Sequence, residues 1–236
     1  MIIGHRGVAA LAPENTLLGI NAAADLGIKW VELDVQLTRD NVPVLFHDES
    51  VNRCTNGIGR LDLFTLAQLR ELDAGAWFNA RFEGEKVPTL EETLTLCAQR
   101  GISINLEIKC HSKTAPGLLV EKVAEVIKST GYPNENLLLS SFSLPAIEHC
   151  LAMLPDCRVG LITEQTSPAF LDDIEPLNIF SVHCDQRHLS LELADAILSR
   201  GYQLNIWTLN EARKAQYFRG LGVTHIITDD PVPFSE

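Results

Sequence analysis

Short apolar runs rich in β-branched residues alternate with amphipathic runs of helical length along nearly the whole chain. No other feature restricts the fold as much. The strand-like runs fall at residues 1–4, 30–36 with 42–46, 102–109, 137–142, 158–163, 179–184, 202–208 and 224–228. The helical patterns between them fall at residues 14–26, 90–100, 116–129, 144–154, 168–175, 190–200 and 211–219. Gly27, Gly101, Gly131, Gly201 and Gly220 each stand at the end of a helical run ahead of a strand, where a glycine terminates a helix. Strict alternation of strand and helix requires a parallel sheet covered by helices. Eight such units in 236 residues favour an α/β fold of the (β/α)8 TIM-barrel type over an open doubly wound sheet. The open sheet's Gly-rich first turn is missing, because Gly4-His5-Arg6-Gly7 does not match G-x-G-x-x-G.

Residues 48–88 break the alternation with turn-rich sequence, such as Asn56-Gly57-Ile58-Gly59, and a short helical stretch near 66–72. They read as an insertion after the second strand, on the face where barrel active sites are built. One domain over residues 1–236 is expected, with an eighth helix that is short or absent because only eight residues follow Thr228. Lys and Arg total 19 against 31 Asp and Glu, a formal net charge of -12. That balance disfavours nucleic acid and anionic membrane as partners. The longest stretch free of charged residues, 136–147, is twelve residues long and contains Pro145, well short of a spanning helix. Met1-Ile2-Ile3 leads directly into Gly4-His5-Arg6 without a basic segment and apolar run, so a cytoplasmic protein is expected. The six cysteines (Cys54, Cys97, Cys110, Cys150, Cys157, Cys184) include no Cys-x-x-Cys and read as free thiols.

Catalytic groups of a parallel barrel come from the C-terminal ends of its strands, and polar residues gather there in this sequence. His5 and Arg6 follow the first strand. Glu32 and Asp34 lie two apart in the second, on one face, and His47 and Asp48 close the same unit. Glu107 and Lys109 end the third, again on one face. An unpaired buried carboxylate costs several kcal/mol, so inward acids need a reason. Glu32, Asp34 and Glu107 suit a hard divalent ion, Mg2+ or Ca2+. An internal ion-pair network with Arg6 and Lys109, or carboxylates that face outward, would account equally well for their spacing. Asn15 either supports an acidic residue from behind or fixes its loop and caps a helix. Trp207 either walls the site or packs the barrel top, and His183 and Phe142 close two further strands near the same rim.

His5-Arg6-Gly7, Pro13-Glu14-Asn15-Thr16, Glu32-Leu33-Asp34-Val35, His47-Asp48, Glu107-Ile108-Lys109, Trp207-Thr208-Leu209-Asn210 and Thr228-Asp229-Asp230-Pro231 together resemble the glycerophosphodiester phosphodiesterase family, in order and across the whole chain. Val51-Asn52-Arg53-Cys54-Thr55-Asn56-Gly57 and Pro88-Thr89-Leu90-Glu91-Glu92 look like that family's insertion and the helix start after it. The compact form is most similar to the cytosolic bacterial branch. The resemblance implies a barrel that hydrolyses glycerophosphodiesters, such as glycerophosphocholine or glycerophosphoethanolamine, to glycerol 3-phosphate and an alcohol. It further implies Glu32, Asp34 and Glu107 as metal ligands and His5 and His47 as the acid–base pair. Arg6 and Lys109 would grip phosphate oxygens, with Trp207 beside the substrate. Such a protein takes a small-molecule substrate and works as a monomer or homodimer.

Three other kinds of barrel share some of these features. A lipid phosphodiesterase forming a cyclic phosphate would dock on membranes, for which an acidic chain offers a poor surface. A sugar-phosphate isomerase or aldolase barrel would need glycines after strands seven and eight, and those segments have none. A catalytically dead barrel kept as a binding protein would be marked by loss of a histidine or a carboxylate, and all five are present.

Overall fold

The computed structural model describes residues 1–111 and 115–234. The chain opens with β1 (Ile2–His5), α1 (Leu17–Asp25), β2 (Trp30–Leu37) and the short β3 (Pro43–Leu45). An insertion carrying α2 (Leu66–Glu71) follows, then α3 (Leu90–Arg100), β4 (Ser103–Ile108), α4 (Pro116–Thr130), β5 (Leu137–Ser141) and α5 (Leu144–Met153). The last part comprises β6 (Arg158–Thr163), α6 (Phe170–Ile174), β7 (Ser181–Asp185), α7 (Leu191–Ser199), β8 (Gln203–Trp207), α8 (Ala215–Gly220) and β9 (His225–Thr228). Eight strands, all except β3, run parallel in one sheet, and β1 closes it by pairing with both β2 and β9. This is the (β/α)8 barrel that the alternation implied.

Strand geometry divides the barrel into two layers. Because side chains alternate across a strand, one set on each stave faces the helices. Val31, Leu33, Ile104, Leu106, Leu204 and Ile206 belong to one apolar cluster with the helix residues Ile20, Leu94, Val123, Ile147, Leu193 and Phe218. Each such side chain removed from water stabilises the fold by ~1.5–3 kcal/mol. The alternate set points inward and is mostly polar: Glu32, Asp34, Asn105, Glu107, Ser140, Ser181, His183 and Asn205 are all buried. Stability therefore resides in the outer layer, and the inner one is left to chemistry.

Four local expectations are corrected. The segment 42–46 does not extend a stave: β3 pairs antiparallel to β2, Val35↔Leu45 through Leu37↔Pro43, so the chain doubles back. The backbone N–H of Phe46 then donates to the Asp34 carbonyl at 3.0 Å, which returns His47 to the rim at Asp34. The helix expected from residue 14 begins at Leu17, because Asn15 is left-handed (φ 54) and Thr16 caps the helix by accepting from the Gly19 N–H. The run 211–219 is a 3-10 turn (Ala212–Lys214) followed by α8, and Gly222 (φ 87), not Gly220, takes the left-handed position after it. Finally, His5 is the last residue of β1 and does not follow it. After β9 the described residues hold only the 3-10 turn Val232–Phe234.

Between β3 and α3 the insertion builds its own apolar cluster from Val51, Cys54, Leu61, Leu69, Ala74 and Val87, joined by Val44 and Phe46. Capping boxes at Thr65/Gln68 and Thr89/Glu92 start α2 and α3. Among the described residues no helix is long and apolar enough to cross a membrane.

Gly4 sits where the β1 backbone meets the turn that follows His5: a Cβ there would lie 1.9 Å from the Gly7 carbonyl oxygen. Gly4→Ala is expected to lower stability by at least ~1–3 kcal/mol in urea denaturation, the usual cost of forcing atoms into a packed interior. An unchanged midpoint would show that this turn moves freely.

Candidate active site

The site starts from a backbone contortion. After His5 the chain passes through Arg6 (φ 51) and Gly7 (φ 91), both left-handed. A non-glycine residue held there costs on the order of 1–3 kcal/mol and is found where function fixes the backbone. The turn points the Arg6 N–H at Glu32 Oε2 (3.2 Å) and the Gly7 N–H at the Glu32 carbonyl (3.3 Å). Gly7 has no alternative residue: a Cβ would come within 2.9 Å of the Gly19 backbone.

Glu32 and Asp34 from β2 and Glu107 from the adjacent β4, in register with Asp34, converge with one oxygen of each within 4.8 Å of the others. All three are buried. Lys109 Nζ lies 2.7 Å from Glu107 and 3.1 Å from Asp34. Arg6 Nε is 3.4 Å from Asp34, but its Nη1 is spent on Glu14 at 2.7 Å. Asn15 Nδ2 donates to Asp34 Oδ2 at 2.8 Å, while its Oδ1 accepts from the Asp34 N–H at 3.0 Å. Asn15 thus holds a carboxylate from behind, and the helix cap falls to Thr16.

The ion pairs are real yet do not balance the charge. Among the described residues Glu32 pairs with no Lys or Arg; the nearest basic nitrogen, His5 Nε2, is 3.7 Å away. Burial, followed by the charges of Asp34 and Glu107, drives Glu32 well above the usual carboxylate range. Burial and Asp34 push Glu107 up to about 7. Against the same burial, Lys109 and Arg6 hold Asp34 below its ordinary value. A cluster that must take up protons is short of positive charge, and its hard oxygen donors fit a divalent ion.

The two histidines are built alike. His5 Nδ1 lies 2.6 Å from Asp229 Oδ1, and Asp229 also accepts from Asn210 Nδ2 at 2.7 Å. His47 Nδ1 lies 2.7 Å from Asp48 Oδ1. An ionised carboxylate only accepts, so each Nδ1 carries a proton and each Nε2 is left to exchange one. Arg53 from the insertion grips Asp48 through Nε (2.7 Å) and Glu14 through Nη1 (2.7 Å), tying the insertion to the barrel loop that holds Arg6. The Arg53 hydrogen bond is the main reason Asp48 falls to about 2. Burial lowers His47 from its ordinary value despite the nearby Asp34 charge.

One cavity of about 270 Å3 gathers His5, Arg6, Glu32, His47, Glu107, Lys109 and Trp207 on its wall. Asp34 and Asn15 lie behind that wall. Trp207 is pinned on both sides: Nε1 donates to the His183 carbonyl at 3.1 Å, and its ring meets Phe142 edge-on at 5.6 Å. It packs and it lines. Sequence reasoning gave no role to Asp48, Asp229, Glu14 or Arg53. An acid directly after a strand-end histidine, or closing the last strand, was the available signal for the first two; Arg53 offered none.

Imidazoles backed by carboxylates, beside a cation-hungry acidic cluster and two basic side chains, are equipped to hold an anionic phosphorus ester and move protons on either side of it. That defines the class: a barrel hydrolase of phosphoric diesters. The model of the glycerophosphoryl diester phosphodiesterase family matches residues 5–232, and the chain belongs to that family. A glycerophosphodiester phosphodiesterase of Caldanaerobacter subterraneus subsp. tengcongensis is 34% identical over 237 residues, 98% of this chain and 94% of the relative. One of Bacillus subtilis strain 168 is 30% identical over 249 residues, 98% and 84% of the two chains. Among solved structures, an Oleispira antarctica phosphodiesterase in complex with the product sn-glycerol-3-phosphate superposes with a TM-score of 0.94 at 32% identity, covering 100% of this chain and 97% of that one. The enzymatic activity is accordingly glycerophosphodiester phosphodiesterase.

Glu32→Gln removes one of three crowded carboxylates. The variant is expected to melt no lower than the metal-free parent, and excess Mg2+ or Ca2+ is expected to raise the parent's Tm by mass action and to leave the variant's unchanged. A cation-induced shift of parental size in the variant would contradict the ligand set.

Proposed function

We propose that the protein hydrolyses glycerophosphodiesters such as glycerophosphocholine and glycerophosphoethanolamine to glycerol 3-phosphate and an alcohol, using His5 and His47 as the acid–base pair and a divalent ion, Mg2+ or Ca2+, held by Glu32, Asp34 and Glu107. The observation that carries it is the pair of His–Asp contacts, 2.6 and 2.7 Å, belonging to histidines on the wall of one cavity with the acidic cluster. When bound, the ion supplies Lewis-acid charge stabilisation and a template for the phosphate.

The side chains divide the remaining work. Arg6 and Lys109 face the phosphate oxygens and offset the repulsion an acidic protein presents to an anion. His47, kept neutral at physiological pH by burial, takes a proton through Nε2 from the water whose oxygen bonds to phosphorus. His5, with Asp229 at Nδ1, protonates the leaving alkoxide as the phosphorus–oxygen bond breaks. Asn15 holds Asp34 in place throughout. Trp207 and Phe142 line the cavity beside these groups. Beyond His5 and Arg6 a wider groove of about 600 Å3, bordered by Trp77 and Phe78, is open enough for alcohols of different size. We further propose that barrel and insertion act as one domain, since Arg53 joins them, and that the protein works in the cytoplasm. The six unpaired cysteines support a reducing compartment.

His5→Ala and His47→Ala should each lower kcat for glycerophosphocholine by ~100-fold or more, the scale of general acid–base catalysis. Excess chelator should abolish turnover; full activity in it would overturn the metal assignment.

A base with a depressed pKa stays deprotonated at lower pH. The acidic limb of the kcat/KM profile is therefore expected below pH 6.5, the ordinary imidazole value, and absent from the residual activity of His47→Ala. A limb above pH 6.5 at saturating divalent ion that persists in His47→Ala would exclude His47 as that base.

A further inference from the structure

Beneath the catalytic groups the barrel interior stays polar, where most barrels of this architecture are filled by branched apolar side chains. Asn105, two residues before Glu107 on β4, and His183 on β7 are both 0% exposed. Both line the cavity that holds His5, Arg6 and Glu32. Ser181 Oγ lies 2.8 Å and Asn205 Nδ2 3.0 Å from His183 Nε2. The Asn205 amide is itself oriented, since its Oδ1 accepts from Gln203 Nε2 at 3.0 Å. An amide nitrogen donates, so His183 Nε2 must accept. Burial keeps the ring neutral, with its pKa pushed down to about 3. The single ring proton therefore sits on Nδ1.

That N–H is buried and has no hydrogen-bond partner among the described residues, and neither has the Nδ2 or the Oδ1 of Asn105. Each unpaired buried polar atom costs on the order of 1–3 kcal/mol, so these three atoms of Asn105 and His183 need an explanation. The backbone has been cleared around the imidazole: a Cβ on Gly160 would stand 2.5 Å from Ser181 Oγ and 2.8 Å from His183 Nε2. The ring's position is thus built, at the expense of a side chain on β6.

We propose that Asn105 and His183 seat the hydroxyl groups of the substrate's glycerol arm and set the preference for a polyol over a hydroxyl-free arm. The inference rests on the hydrolysis reading above and identifies which arm of the diester enters the barrel. The unpaired atoms are two kinds of donor and one acceptor. A hydroxyl group both donates and accepts, so a vicinal diol answers all of them. An alkyl arm would leave them bare, and a second phosphate would meet the Asn105 oxygen and the acidic cluster. The selectivity that results is large by nature, because a site built around a substrate hydroxyl rejects its deoxy analogue through its own unsatisfied groups.

The test compares glycerophosphocholine with ethylphosphocholine, in which an ethyl group replaces glycerol. The wild type should prefer the first by at least ~100-fold in kcat/KM, and Asn105→Ala and His183→Ala should each shrink that ratio at least ~10-fold. Affinity for sn-glycerol 3-phosphate over ethyl phosphate, measured by calorimetry, should shrink in parallel. Absence of a wild-type preference overturns the proposal, as does an equal loss on both diesters in the variants, which marks a purely structural role. Should an alanine variant fail to fold, Asn105→Ser and His183→Gln replace it and must show an intermediate ratio. If the wild type cleaves neither diester, the hydrolysis reading fails, and the two binding affinities still decide between a polyol seat and none.

Discussion

Three carboxylates within reach of one another and out of water repel each other and lose their hydration, and the top of the barrel is organised around that constraint. Asp34 is the best satisfied, with Lys109, Arg6 and both ends of the Asn15 amide around it. Glu32 and Glu107 receive less, and their preference for a proton records the deficit. The backbone strain follows from the same need. Arg6 and Asn15 both accept left-handed conformations, and in doing so deliver an N–H to Glu32 and an amide to Asp34. A cation in the cluster would satisfy what the protein alone does not, which is how an interior of this kind can be tolerated at all.

The division of each stave into an apolar outer edge and a polar inner one explains how the fold survives such an interior. Helix-facing residues such as Leu33, Leu106 and Ile206 bury their whole side chains against α1, α3 and their neighbours. The inward residues contribute little hydrophobic stabilisation, so the barrel does not depend on an apolar filling of its interior.

How much of this was legible in the sequence follows from how local each signal is. Strand–helix alternation is written in stretches of ten residues, so the barrel could be read directly. Glu32, Asp34, Glu107 and Lys109 were visible because they interrupt apolar runs at a spacing of two, and His5 and Arg6 because they end the first run. The β2–β3 hairpin was not, since 42–46 has the composition of a stave and only the pairing register shows that it runs backwards. Asp229 and Asp48 are ordinary acids until a histidine is found 2.6 or 2.7 Å away. Arg53 reaches partners 5 and 39 positions distant, a relation that no periodicity carries. The polar interior was hidden for the same reason: Asn105, Ser181, His183 and Asn205 each look like a tolerated exception within an apolar run, and only closure of the sheet brings them together.

The hairpin at β3 has one more effect. His5 hangs from a barrel stave and His47 from the first residues of the inserted segment, so the two imidazoles belong to separately evolvable pieces of chain. Drift, lengthening or exchange of that segment would shift His47, together with its Asp48 and Arg53 attendants, while Glu32, Asp34 and Glu107 stay on their staves. A single scaffold can in this way change its operating conditions or its taste in alcohols by rewriting an appendage.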